Sequence, residues 1–275
     1  MPTKTKVRNM FDSIAGDYDA LNHILSLDVD KIWRRKALKQ IVDAPAPARV
    51  LDLACGTGDF SIAIAKALSR SHKRVGTPIE AHVKAPAKAP VEAQVTSTGF
   101  VTGDSGRSDL MTKGHVTGVD LSEGMLAVMR EKVAKAGLTE MISIEEGDGE
   151  NLRFPDNTFD RVTIAFGIRN FENREKGLRE MLRVLKPGGR LVILELSRPE
   201  NKVIRWFYDL YFLHILPKIG GKVSGDKAAY AYLPASVAAF PGKKAFMATI
   251  RGGGFRTVTH KAFTLGICRM YTGEK

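Results

Sequence analysis

Cysteine is nearly absent: Cys55 and Cys268 are the only two in 275 residues, and neither sits in a CxxC. Two such residues cannot build a disulfide framework, and they fit a reducing compartment. The six histidines show no metal-ligand spacing with them, which argues against a structural zinc site. Long apolar runs are missing too. The longest, Val203 to Pro217, is interrupted by Arg205, Asp209 and His214, whereas a spanning helix needs about 18 or more mostly apolar residues. The N-terminus is polar with early acids and reads as neither signal nor transit peptide. A cytoplasmic chain without a membrane span is therefore expected. Acids are scarce relative to bases, with Lys+Arg 42 against Asp+Glu 30 and a net charge of +12. From Gly242 onward seven basic residues face a single acid, Glu274. Such an excess points to a solvated basic face or an anionic partner and carries no information on fold.

What is present is globular: 44% of residues are apolar and 26% charged, enough to bury a sizeable core without cross-links. Residues 4 to 43 carry apolar side chains at helical spacing, among them Val7, Phe11, Ile14, Trp33 and Ile41, and Pro45 and Pro47 stop the pattern. Arg49 to Cys55 is a short apolar run that breaks at Gly56-Thr57-Gly58, and a helical pattern resumes from Phe60 to Leu68. Strand, glycine turn and helix open a βαβ unit. Residues 70 to 113 keep neither period. With Pro78, Pro86, Pro90, a Lys84–Pro90 near-repeat and one aromatic, Phe100, they read as a disordered insertion. Strand patterns return at His115–Asp120, Met141–Glu145, Phe159–Phe166, Leu191–Leu196, Phe255–Thr259 and Ala262–Met270. Helical patterns cover Glu123–Ala136, Glu175–Leu185 and Lys243–Ile250, with Lys186-Pro-Gly-Gly189 closing the second. The alternation predicts an α/β fold, a mostly parallel sheet with helices on both faces.

Three strand ends carry polar signals. Gly56 and Gly58 let a ligand approach the backbone after the first strand. A dinucleotide fingerprint wants a third glycine where this chain has Ser61, which suits a ligand without a pyrophosphate. Asp120 ends the second strand, where an acid accepts from ribose hydroxyls about 20 residues past the glycines. It lies 62 residues beyond Gly58, and without the 44 residues from Arg70 to Lys113 the gap is 18. Gly147-Asp148-Gly149 ends the third strand, where an acid can accept from an adenine amino group and a backbone N–H can reach a ring nitrogen. Together the three describe an adenosine pocket.

The stretches DLACGTGDF, TGVDLSEGML, EGDGENLRFPDNTFDRVTIAFGIRN and MLRVLKPGGRLVILE resemble the motif series of class I S-adenosylmethionine-dependent methyltransferases. More narrowly, FDSIAGDYDALN, FGIRNF and LPKIGG...YAYLPASVAAFP resemble the quinone-biosynthesis C-methyltransferases, over nearly the whole chain outside residues 70 to 113. The resemblance implies one Rossmann-like class I domain over residues 1–275, with a seven-stranded mostly parallel sheet. Its parts would include an N-terminal helical lid (1–44), the insertion (70–113) and a substrate lid segment (200–241). It implies S-adenosyl-L-methionine as co-substrate without a metal, bound by Thr57, Asp120, Asp148 and Gly149 beside Gly56 and Gly58. Members often carry Ser where this chain has Ala165, so a side-chain contact to the cofactor is missing there. The implied reaction is C-methylation of demethylmenaquinol, extended in some members to 2-polyprenyl-6-methoxy-1,4-benzoquinol.

Arg169 and Asn170 follow the fourth strand, at the mouth where the methyl group should lie, and are the candidate catalytic residues. A permanently cationic guanidinium stabilises a quinolate, or acts through a water, better than it serves as a base; a structural pairing with a nearby acid is the alternative. His214 and Tyr230 are further polar candidates. Eleven apolar or aromatic residues crowd Val203 to Leu216, which means packing on the sheet or contact with lipid. In the second case Arg198, Lys202, Arg205, Lys218 and Lys222 would meet head groups. The partners implied are a polyprenyl quinol and the inner face of the cytoplasmic membrane, bound peripherally, with room for a homo-oligomer. A nicotinamide oxidoreductase is disfavoured by Ser61. An RNA methyltransferase would use the positive charge on phosphates, but the aromatic segment favours a lipid-like substrate, so no nucleic acid is expected. A non-catalytic adenosine-binding module is the remaining alternative.

Overall fold

Val50 to Leu53 of strand β1 (Arg49–Leu53) are all buried, as expected of a strand with helices on both sides. Its side chains divide with period 2: Val50 joins one apolar cluster, Leu51 and Leu53 the other. The computed structural model describes residues 3–16, 18, 19, 28–44, 48–75, 114–211 and 227–275, with backbone alone over 71–75 and 227–231. Seven strands form one sheet in the order β3-β2-β1-β4-β5-β7-β6. The others are β2 (His115–Asp120), β3 (Ile142–Glu146), β4 (Phe159–Ala165), β5 (Leu185–Leu196), β6 (Arg256–Phe263) and β7 (Cys268–Glu274). Strands β1 to β5 run parallel, and β7 is antiparallel to both β5 and β6.

Crossover helices cover both faces. On one lie α2 (Val29–Leu38), α3 (Asp59–Val75) and α4 (Glu123–Lys135), through Trp33, Phe60, Ile64, Leu126 and Met129. On the other lie α5 (Arg174–Val184) and α8 (Lys243–Gly252), through Leu178, Met181, Phe246 and Ile250. The chain steps outward from β1 in both directions, through β2 to β3 and through β4 to β5, so the strand order reverses beside β1. Ligands of open α/β sheets bind at that switch point, beyond the carboxyl ends of the strands.

Four boundaries differ from the sequence reading. The helical stretch 4–43 contains two helices, α1 (Lys4–Ile14) and α2, the latter entered through Asp28 in left-handed conformation (φ 61°). Helix α3 continues to Val75, so residues 70–75 belong to it; the rest of the proposed insertion, 76–113, lies outside the described residues. Lys186-Pro-Gly-Gly189 does not close α5, because β5 begins at Leu185. Phe159 pairs with Leu185 and Arg161 with Arg190, and the residues between bulge out of the ladder. The last turn falls at Thr264–Gly266 rather than at His260, since Thr264, Leu265 and Gly266 all have positive φ. Such angles break a strand. Helix α6 (Lys202–Leu210) opens the apolar segment with its cap Asn201 accepting from the Val203 and Ile204 N–H groups. Helix α7 (Lys227–Ala238) follows, and His214, Lys218 and Lys222 lie outside the described residues.

Candidate active site

Beyond β1 the backbone turns through three left-handed residues, Ala54, Gly56 and Gly58. This turn forms one wall of a cleft of about 750 Å³, completed by Asp120, Gly147–Glu150, Ala165–Gly167, Asn170 and Phe171. Lys4, Val7, Phe11 and Tyr18 of the N-terminal segment line it from the other side.

Asp120 binds the two loops it stands between. Its Oδ2 accepts from the Gly56 N–H and its Oδ1 from the Ser122 N–H, both at 2.9 Å. Burial pushes its carboxyl above the usual range, and those N–H groups oppose the shift. Parallel pairing of Leu53 with Val119 places Asp120 beside the glycine turn despite the 62 residues between it and Gly58. Asp148 accepts from the Glu150 N–H at 2.9 Å and from Lys4 Nζ at 2.7 Å, and Lys4 also pairs with Glu150 at 2.9 Å. Gly149 is a close-approach glycine: a Cβ there would lie 2.6 Å from the Phe171 ring.

Two of the expected cofactor residues do other work as well. Thr57 is buried, and its hydroxyl donates to Asp19 at 2.6 Å. Asp19 also takes Lys132 Nζ, which pairs with Asp59. Gly58 does not line the cleft. Its φ is +84°, and an added Cβ would lie 2.4 Å from Met129 Cγ, so this glycine lets α4 pack on the turn. At the position of the missing third glycine, the Ser61 hydroxyl donates to Asp52 Oδ2 at 2.6 Å. Burial pushes the Asp52 carboxyl up to about 7, against the Ser61 bond and the Arg34 charge.

A second lobe of about 400 Å³ shares Tyr18, Ala54, Gly56, Ala165 and Phe166 with the main cleft and adds Arg34, Asp52, Thr57 and Asp59. Arg169 stands outside the lining. Its guanidinium donates to Glu195 Oε1 at 2.8 Å, to Ser236 Oγ at 3.3 Å and to the Phe166 carbonyl, and its backbone N–H donates to Glu195 Oε2 at 3.1 Å. Both Arg169 and Glu195 are buried. Asn170 does line the cleft and accepts from the Tyr232 hydroxyl at 2.8 Å. Tyr232, two positions beyond Tyr230, is thus the tyrosine of that stretch joined to the site; the Tyr230 side chain lies outside the described residues.

Asp12 and Asp19 of the N-terminal FDSIAGDYDALN stretch fasten this segment to the cleft. Asp12 Oδ1 accepts from the Ser122 hydroxyl at 2.5 Å and the Gly124 N–H at 3.1 Å. With Lys4 on Asp148 and Asp19 on Thr57, the segment is fastened at three of the loops that shape the cleft. No group of side chains suited to a metal ion occurs among the described residues.

A ubiquinone/menaquinone biosynthesis C-methyltransferase of Geobacter sulfurreducens is 43% identical, over 98% of this chain and 88% of that protein. A demethylmenaquinone methyltransferase of Bacteroides fragilis is 39% identical, over 98% and 92%. Among solved structures, an S-adenosylmethionine-dependent methyltransferase of Aquifex aeolicus shares the fold at a TM-score of 0.53 and 19% identity, over 87% of this chain and 88% of that one. The [4+2]-cyclase SpnF shares it at 0.63 and 15%, over 100% and 96%; likeness at that level concerns fold alone. Residues 2–275 match the ubiE/COQ5 methyltransferase family, and the chain belongs to that family of S-adenosylmethionine-dependent enzymes.

Proposed function

We propose that the protein transfers a methyl group from S-adenosylmethionine to a ring carbon of demethylmenaquinol, giving menaquinol. The observation that carries this reading is the adenosine-shaped row of strand ends, Gly56, Asp120 and Asp148, in one cleft of a chain 39–43% identical to quinone methyltransferases. The residues fit the cofactor. Asp120 offers a half-buried carboxyl acceptor to a ribose, Asp148 and Gly149 frame an adenine edge, and a Cβ on Gly56 would project toward Tyr18. The cofactor supplies an electrophilic methyl; the protein supplies placement and a dry wall for in-line displacement.

At the acceptor end, Asn170 gives its Oδ1 to Tyr232, which leaves its amide N–H₂ to hold a quinol oxygen. Burial keeps the Tyr232 phenol protonated, with a raised pKa. Arg169, locked against Glu195, holds the turn that carries Asn170 and brings a fixed cation behind it. These roles favour negative charge growing on the quinol oxygen as the carbon attacks.

A polyprenyl quinol is confined to a bilayer, and no helix among the described residues is long and apolar enough to cross a membrane. Peripheral attachment through α6 fits this substrate. Val203, Trp206, Phe207 and Leu210, spaced along one helical face, are 65%, 61%, 60% and 40% exposed. Of the neighbouring cations, Arg198 pairs with Asp209 and Arg205 is held by the Pro199 and Glu200 carbonyls, while Lys202 is exposed. Among the described residues, Trp206 and Phe207 offer aromatic insertion and Lys202 a charge.

Mass spectrometry of quinones from cells lacking the protein tests the reaction: demethylmenaquinone should accumulate, and an unchanged pool overturns the reading. Simultaneous accumulation of the unmethylated methoxy-benzoquinol would mark the broader specificity named for the Geobacter relative.

A further inference from the structure

Among the described residues six large apolar side chains stand exposed, and they share one end of the molecule. They are Ile32 on α2, Val203, Trp206, Phe207 and Leu210 on α6, and Leu265 in the turn between β6 and β7. That turn lies at the carboxyl end of β5, because Cys268 at the start of β7 pairs with Leu196. Leu265 is 72% exposed and holds a φ of +56°, a conformation that asparagine or glycine adopts at lower cost. Neither packing nor backbone conformation therefore accounts for a leucine here. The turn is nonetheless held in place. The Ser197 N–H donates to the Ile267 carbonyl at 2.8 Å and its hydroxyl to the Gly266 carbonyl at 2.7 Å, just ahead of α6. Trp33 Nε1 donates to Thr264 Oγ1 at 2.9 Å, which ties the turn to α2 next to Ile32. Ile267 packs in the cluster around Tyr208 of α6. Buried contacts thus join all three exposed patches.

Exposed cations stand beside this face. Lys36, one helical turn beyond Ile32, places Nζ 5.0 Å from the centre of the Phe263 ring at the foot of the turn, and Lys202 and Lys261 are exposed. Acids of the same elements are held in pairs: Glu200 by Lys243 and Arg269, Asp209 by Arg198, Asp28 by Lys31. Apolar tips set among lysines match an anionic lipid surface, which takes the tips among its acyl chains and the ammonium groups at its phosphates. We infer that the β6–β7 turn is a second membrane anchor, with Leu265 and Ile32 entering the bilayer beside α6. The inference rests on the peripheral attachment proposed above and gives it an orientation. A single interfacial helix leaves the protein free to roll about the helix axis. Two anchors tied through Ser197 set the carboxyl ends of the strands against the lipid. Trp33, which holds the turn, also lies 6.2 Å from the Phe166 ring of the cleft wall, so the anchored edge adjoins the cleft that a bilayer-confined quinol must reach.

Vesicles of phosphatidylcholine and phosphatidylglycerol test this. Both native cysteines are buried, so an environment-sensitive fluorophore attached through Leu265→Cys reports on the turn. Its emission should shift to the blue with vesicles and be quenched by brominated acyl chains. A label attached through Glu140→Cys, ahead of β3 at the opposite end of the sheet, should show neither. Leu265→Asn removes the apolar tip and suits the backbone, so the melting temperature should hold or rise while vesicle affinity falls about fivefold or more. Its affinity for S-adenosylhomocysteine should not change. A turn label that neither shifts nor is quenched, while the unaltered protein co-sediments with vesicles, overturns the second anchor and leaves α6 as the contact. So does Leu265→Asn with undiminished vesicle affinity. Pairing of two copies that Leu265→Asn abolishes, with vesicle binding intact, assigns the face to self-association and overturns the inference as well. If the unaltered protein does not sediment with the vesicles at all, the attachment proposed for α6 fails, and the second anchor with it.

Discussion

Asp52 sits beneath the glycine turn, 1% exposed, with Ser61 as its hydroxyl donor, and this placement makes stability depend on pH. Burial raises its carboxyl from the ordinary 3.8 to about 7. Below the lower value the group is protonated in both folded and unfolded chains and contributes nothing. Between the two values the unfolded chain gives up a proton that the folded chain keeps, so folding stability falls by about 1.4 kcal/mol per pH unit. Above about 7 the loss levels off at about 4 kcal/mol, the product of a shift of about three units and that slope. Asp52→Asn keeps an acceptor for Ser61 and removes the ionisation. Urea unfolding of both proteins from pH 5 to 8.5 isolates the effect, because every other titrating group cancels in the difference. The variant should gain about 2–3 kcal/mol on the parent between pH 5 and 7, then hold a constant margin. Two stability curves that stay parallel across that range would refute the reasoning, whatever their fixed offset.

Asp120→Ala removes the ribose acceptor and leaves the Gly56 and Ser122 N–H groups without their partner; calorimetry should show cofactor affinity reduced at least tenfold, about 1.5–3 kcal/mol. Gly58→Ala combines a positive φ with a Cβ driven into Met129, and urea unfolding should show a loss of about 2–4 kcal/mol. Trp206→Ser with Phe207→Ser should reduce co-sedimentation with liposomes while leaving S-adenosylhomocysteine binding unchanged; undiminished sedimentation would remove α6 from the membrane contact.

The parts of this fold that were legible in sequence are those governed by neighbours in the chain. Period-2 and period-3.6 patterns located β1, β2, β4 and most helices, and the Gly56 turn and Asp120 were readable because strand-end chemistry repeats along the sheet. Boundaries set by partners were not. Lys186-Pro-Gly-Gly189 has the composition of a helix stop, yet Leu185 already pairs with Phe159, so the ladder decides where β5 begins. The same holds for function. Glu195 is 26 residues from Arg169 in sequence and pairs with it only because β4 and β5 are neighbours. No local pattern in the sequence marks Arg34, Asp12 or Asp19. Their roles arise where α1, α2 and the residues between meet the strand ends, a docking that no local period encodes. Tyr230 stood out in sequence as a polar candidate, but the helical phase of α7 brings Tyr232 to Asn170.

The placement of β7 has a consequence for how such a chain is made. It follows the other six described strands in order of synthesis, yet it lies inside the sheet, with β5 on one side and β6 on the other. Among the described residues strand β6 has no other neighbour in the sheet, so it emerges from the ribosome before the surface that will hold it exists. Until β7 arrives, β5 presents an open row of peptide groups to any passing strand. Closure joins Arg190 to Glu274, 84 positions apart, and Lys275 Nζ then donates to the Leu185 carbonyl at the far end of the bulge. Non-local pairing of this kind is slow. The interval between translating β5 and inserting β7 is therefore when the nascent polypeptide is most exposed to mispairing, and when a chaperone covering the β5 edge would matter most.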